Sequence, residues 1–256
     1  MSKKARTAAA TEPTLELVDP AEGVSKVLVI TAHPDDVDFG AAGTVARLTT
    51  SGVEVVYGLV TDGDAGGSDR SSTADQRARL RREEQRAAAD ILGVSELHFL
   101  GHLDGSVTAH LGLRRDLARL IRMVRPDRVL TQSPELWLDR IYASHPDHRA
   151  TGEAALAAVY PDARNPFAFP ELLDSEELEP HSVPEVWLMA SPTSNMAVET
   201  TDFIDAKLAA LRCHASQVGE GAHLDDLVIT WGRTMAAQAG LKKKRTAEAF
   251  RRVHTA

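Results

Sequence analysis

With one cysteine, Cys213, in 256 residues, the chain can form no internal disulfide and no thiolate metal cluster. Any metal site must therefore use histidines and carboxylates, and the cysteine usage reads as that of a cytoplasmic protein. No apolar run approaches the roughly 20 residues of a membrane span. The N-terminus lacks an apolar signal segment as well, so membrane insertion is not expected. Excess basic charge is missing: the net charge of −8 argues against nucleic acid as a partner. The first strand-like run leads into "HPDDVDFG" and not into a G-x-G-x-x-G turn, which disfavours a nucleotide-binding or dehydrogenase module. No long internal repeat is visible.

The composition present, 43% hydrophobic and 26% charged, is that of a globular protein able to bury a large core. Residues 1–24 are small, polar and aperiodic and read as a disordered leader; residues 25–256 read as one domain. Apolar runs at 27–32, 53–60, 96–100, 128–132 and 185–190 predict strands. Between them lie helix-forming stretches at 37–52, 73–92, 111–125 and 146–160, with later helices at 205–217 and 223–239. Asp35 and Asp36 stand where helix N-caps stand. The acidic, proline-bearing segment 161–184 reads as a loop, and the basic tail from Leu241 as a solvated helix end. Strands buried on both faces and alternating with helices predict an α/β fold: a Rossmann-like, mostly parallel sheet with helices on both faces. Ligand sites in such sheets lie beyond the carboxyl ends of the strands.

Every unusual polar cluster, "HPDD", "TDGDAGG", "GHLDG" and "ASHPDH", follows a predicted strand. His-Pro-Asp occurs twice, at His33 and at His145, 112 positions apart. Each copy runs into a metal-binding residue type, Asp36 in the first and His148 in the second. Two imidazoles and a carboxylate are a common catalytic zinc set, leaving a position for water. Such an ion makes a nucleophile of water at neutral pH, and a neighbouring unligated carboxylate such as Asp35 can accept its proton. The remaining histidine can stabilise an oxyanion or protonate a leaving amine.

These residues resemble the PIG-L/LmbE-like family of metal-dependent N-deacetylases, whose signatures are an "AHPDD" turn and a later "HPDH" turn. The resemblance extends over about residues 26–220 and includes "LVTDGDAGG", "RREEQRAAADILGV", "FLGHLDG" and "KLAALRCHASQ" in the expected order. It implies a Rossmann-like fold and hydrolysis of an N-acyl group, usually the acetamide of an N-acetylglucosamine unit. Zinc is the implied metal, with iron or cobalt as alternatives for a His-His-Asp site. Carried over by position, His33, Asp36 and His148 would bind the metal and Asp35 would be the general base. His145 would stabilise the tetrahedral intermediate, with a general-acid role also open to it, and Asp147 would orient or tune it. Arg81 would lie near the substrate, and Asp104 would hold sugar hydroxyls. Many members follow the first motif with glutamate; Val37 and Asp38 stand here, so the acidic supporting role would pass to Asp38. A tyrosine that some members hold before the second motif is replaced by Ala143.

Asp62 and Asp64 are candidates to hydrogen-bond the metal-binding histidines, although turn chemistry alone also selects them. His98 and His102 read as core or rim residues, and His214 matches a recurring family histidine. A homo-oligomer is expected from the family. The leading function is removal of an acetyl or short acyl group from an amino sugar. A larger sugar conjugate or antibiotic glycoside is the alternative substrate, for which Trp137 and the loop 161–184 could form an apolar wall. A purely regulatory metal protein would have no use for the carboxylate of Asp35 beside the ion.

Overall fold

The computed structural model describes residues 14–218 and 222–255. Its strands are β1 (Glu16–Leu17), β2 (Lys26–Thr31), β3 (Glu54–Thr61), β4 (Glu96–His102), β5 (Arg128–Gln132), β6 (Glu185–Met189), β7 (Met196–Glu199) and β8 (Ala247–His254). The helices are α1 (Asp36–Thr50), α2 (Ala74–Ile91), α3 (Leu111–Val124), α4 (Pro146–Ala157), α5 (Glu171–Asp174), α6 (Ile204–Cys213), α7 (Ala215–Val218) and α8 (Ala222–Gln238). No helix among the described residues is long and apolar enough to cross a membrane.

One sheet has the order β1-β7-β8-β6-β5-β2-β3-β4. The run from β6 to β4 is wholly parallel. Successive side chains of a strand point to opposite faces, and β2 shows the consequence. Val27 and Val29 join a core under α1, α2 and α6, whereas Leu28 and Ile30 join a second core under α3 and α4. Both faces are therefore covered, as the apolar runs require.

Beyond β2 the chain adds β3 and β4 on one side, then crosses back to place β5 on the other. The carboxyl ends of β2 and β5 flank this switch point, and both His-Pro-Asp turns follow these two strands. Topology thus joins the two motifs.

Two expectations are corrected. The leader assigned to residues 1–24 extends too far: Glu16–Leu17 pairs with β7, and Leu15 is buried against Ala197, Ala236 and Ala239. Residues 1–13 lie outside the described residues. The basic tail is no helix end, because β8 lies inside the sheet, antiparallel to both β6 and β7. Alanine, glutamate and arginine suggest a helix locally, but Phe250 is fully buried against Trp187, and tertiary pairing overrides propensity.

Glycine decides how closely α4 approaches the switch point. A Cβ on Gly152 would lie 2.1 Å from the carbonyl oxygen of Gln132, at the end of β5. Only a residue without a side chain lets this helix sit against the strand end.

Candidate metal centre and active site

His33 follows β2 by two residues, and its backbone N–H donates to the Asp36 carboxylate at 2.7 Å. That bond closes the turn and aims both side chains at one point. His148 reaches the same point from the first turn of α4. His33 Nδ1 lies 3.3 Å from His148 Nε2 and 3.3 Å from Asp36 Oδ2, and His148 Nε2 lies 2.9 Å from Asp36 Oδ1. Metal bonds of about 2.0–2.1 Å at tetrahedral angles would separate donors by about 3.3 Å. The two imidazoles and the carboxylate thus fit a divalent ion.

The other nitrogen of His33 faces two carboxylates. Nε2 lies 3.2 Å from Asp147 Oδ2 and 3.1 Å from Asp104 Oδ1. Burial lowers the basicity of His33, but Asp36, Asp104 and Asp147 outweigh it and push the pKa up to about 12. Burial likewise opposes ionisation of Asp36, yet His148 and His33 hold its carboxyl well below the usual range.

Asp35 stands in the left-handed region, φ 91° and ψ −28°, at the N-cap position of α1. Aspartate tolerates this conformation better than most side chains. Its side chain makes no capping bond, contrary to the N-cap expectation. Arg81 donates to its carboxylate at 3.0 Å, and its backbone N–H donates to Gln85 Oε1 at 2.8 Å. Burial, then the charge of Asp36, push the Asp35 pKa up to about 7, against the opposing pull of Arg81.

His145 caps α4 by accepting the Asp147 N–H at Nδ1, 3.2 Å away. That bond makes Nδ1 the lone-pair nitrogen and leaves the proton on Nε2. Burial, then His33 and His148, lower its pKa, which favours the neutral ring. Its ring centroid is 5.1 Å from that of His33 and 5.2 Å from that of His148.

Several expected contacts are replaced by others. The Asp147 carboxylate meets His33 and the backbone N–H groups of Gly105 and Val107, so its link to His145 runs through the main chain. Asp104 is nearly enclosed; it accepts from Ala65 N–H as well as facing His33. Arg81 is buried, and its guanidinium donates to Pro34 O, Gly63 O and the Asp35 carboxylate. Asp62 pairs with Arg82, and the Asp64 carboxylate accepts from the Asp104 N–H; neither is bonded to the metal-site histidines. His98 and His102 pair with Glu96 and Asp116, away from the cluster.

Asp38 is fully buried and accepts from His214 Nε2 at 2.8 Å and Gln85 Nε2 at 2.9 Å. His214, Asp38 and Gln85 thus form a buried chain ending on the Asp35 backbone. Gln85 and Glu84 were not singled out by sequence. Arg81, Glu84, Gln85, Ala88 and Ala89 are the buried residues of α2, spaced three and four apart. That helical period was the available signal, masked by the polarity of its first half.

A mostly parallel sheet carrying at its switch point a His/Asp cluster that could hold a metal ion, beside the partly buried carboxylate of Asp35, defines the class of protein. The family described as PIG-L, GlcNAc-PI de-N-acetylase, matches residues 28–159, and the chain belongs to it. It is 37% identical over 202 residues to a diacetylchitobiose deacetylase of Thermococcus kodakarensis, covering 79% of this chain and 73% of the relative. A probable N-acetyl-alpha-D-glucosaminyl L-malate deacetylase 2 of Bacillus anthracis is 31% identical over 75% of this chain and 80% of that protein. The solved N,N'-diacetylchitobiose deacetylase from Pyrococcus horikoshii superposes with a TM-score of 0.84 at 32% identity, covering 92% of this chain and 86% of that one.

Proposed function

We propose that the protein is a zinc-dependent N-deacetylase acting on an N-acetylglucosamine-type amino sugar. The observation that carries this reading is the triangle of His33 Nδ1, His148 Nε2 and the Asp36 carboxylate, with Asp35 adjacent but committed elsewhere. Deacetylase relatives at 31% and 37% identity support the substrate class. Zinc bound there would polarise an amide carbonyl and acidify a water.

The chain's own residues do the rest. Asp35, with its pKa raised to about 7, accepts the water proton near neutral pH. Neutral His145 presents Nε2–H to the oxygen of the tetrahedral intermediate. Asp104 and Asp147 hold the His33 ring so that Nδ1 faces the metal position. The proton taken by Asp35 is then available to the departing amine, completing hydrolysis to acetate and a free amino sugar.

The test is acetate release from N-acetylglucosamine, its chitobiose and its inositol and malate glycosides, together with metal analysis. About one zinc per chain and turnover of at least one sugar are expected. Absence of bound metal, with no activity restored by zinc, iron or cobalt, would remove the reading.

A further inference from the structure

A cavity of about 480 Å³ opens from the candidate metal centre, with Asp36 and His148 in its wall. Its size lies within the range of roughly 300–1,000 Å³ found for sites that enclose drug-sized ligands, well beyond the needs of an acetyl group. It does not reach the loop 161–184, which packs through Ala163, Leu172 and Val183 over α3 on the other side of the sheet. Part of its wall comes instead from α8, through Val228, Trp231 and Met235.

At the mouth, Tyr142 lies nearly parallel to Trp231, with ring centroids 6.2 Å apart and planes 7° apart. The Arg140 guanidinium lies 5.0 Å from the Trp137 ring, 5.5 Å from Tyr142 and 5.4 Å from Trp231. One cation thus gathers three rings. Several polar groups of the cavity wall are committed to the protein. Lys207 donates to Glu248 and Phe39 O, and Glu248 accepts from the Gly43 and Thr44 N–H groups. Gln132 Oε1 accepts the Ala32 N–H, and Thr200 bonds Thr246. A hydrated hydroxyl would find few partners there, whereas an alkyl chain or ring sheds water at little polar cost.

We propose that this cavity is a subsite for an apolar substituent of the substrate, an alkyl chain or ring carried either on the N-acyl group or on the sugar's anomeric oxygen. The inference rests on the deacetylase reading for the word substrate, and on the cavity's continuity with Asp36 and His148 for its place. Trp231 is then a specificity-determining wall, supplied by a helix far in sequence from both His-Pro-Asp turns.

The zinc-loaded enzyme tests this with two arms. N-octanoylglucosamine is compared with N-acetylglucosamine, and the octyl glycoside of N-acetylglucosamine with its methyl glycoside. Each buried methylene strengthens binding roughly fourfold, so burial of only about three to four of the methylenes added on one arm should raise kcat/KM on the order of 100-fold. That arm names the side of the sugar that enters. Octanoate and octyl glucosaminide, which cannot turn over, are titrated separately against tryptophan fluorescence, with acetate and methyl glucosaminide as controls. Trp137 and Trp231 should respond to the same arm. In Trp231→Ala the gain of the long substrate over the short one should shrink at least about tenfold. Equal rates for long and short substrates with no fluorescence response overturn the inference and leave the deacetylase reading standing. Equal responses on both arms, the mark of non-specific partition, also overturn it. A fluorescence response confined to one arm, with no amide hydrolysed, supports the cavity and removes the deacetylase reading.

Discussion

Arg81 donates to Asp35 across 3.0 Å and also to the carbonyl of Pro34, so α2 holds the turn that follows β2. With Asp35 as the proposed base, the arginine acts through it. In Arg81→Gln, kcat should fall on the order of 100-fold, the cost of a base displaced by about 1 Å, while KM stays near that of the parent. Steady-state kinetics decide the matter: a rise in KM with kcat unchanged would return Arg81 to the substrate.

Asp35→Asn separates chemistry from metal binding. Asparagine also tolerates φ 91°, so the turn and the ion should persist. Turnover should drop roughly 10²–10⁴-fold, the usual contribution of a positioned base. Metal analysis beside the kinetics checks both halves, and a variant near parental activity would exclude Asp35 as the base.

Metal binding should release a proton. Without an ion, Asp36, Asp104 and Asp147 outweigh burial and hold His33 protonated, with its pKa pushed up to about 12 from 6.5. Because the folded value is the higher one, this pairing stabilises the metal-free fold fully below pH 6.5 and is lost only as pH rises through about 12. An ion needs the neutral ring, so affinity should weaken as pH falls. Asp36 likewise outweighs burial and raises the His148 pKa, so calorimetry at pH 7 in buffers of different ionisation enthalpy should report at least one proton released per ion. Enthalpies independent of buffer would contradict this.

Gly152→Ala tests the approach of α4 to β5. The new Cβ would meet the Gln132 carbonyl at 2.1 Å, a backbone atom with little room to move. A loss of about 1–3 kcal/mol in stability is expected, as for overpacked cores. Because α4 carries His148, zinc affinity should fall with it. Denaturant melts and zinc titration read the two effects, and parental values in both would show that the contact is not limiting.

Lys207 and Glu248 form a buried ion pair at 2.6 Å that ties α6 and β8 to α1. Lys207→Met leaves the carboxylate buried without its cation and should cost about 3–5 kcal/mol. Pairing it with Glu248→Gln should recover part of that loss. Urea denaturation of the single and double variants measures the difference; additive losses would show that the two groups do not act as a pair.

Both His-Pro-Asp turns, the five central strands and most helices were legible because each is local. An apolar run, a proline and a cap residue act over a few positions. The same locality hid β8, since "AEAFRRVH" satisfies a strand only when β6 and β7 flank it. It hid Gln85 and the partner of His214 too, since both side chains bond Asp38 and not their neighbours in the chain. Trp137 was visible as an apolar candidate, but its partner wall proved to be α8 and not the loop 161–184.

By itself the sequence determined the chemistry on offer: imidazoles and carboxylates after strands, no thiolates, and a fold that places strand ends together. Tertiary structure decided which of these groups meet one another. Arg81 and Asp104 found their partners, Asp35 and His33, for one physical reason. A charged side chain bonds the nearest opposite charge that burial brings to it, and burial is set by packing between elements far apart in the chain.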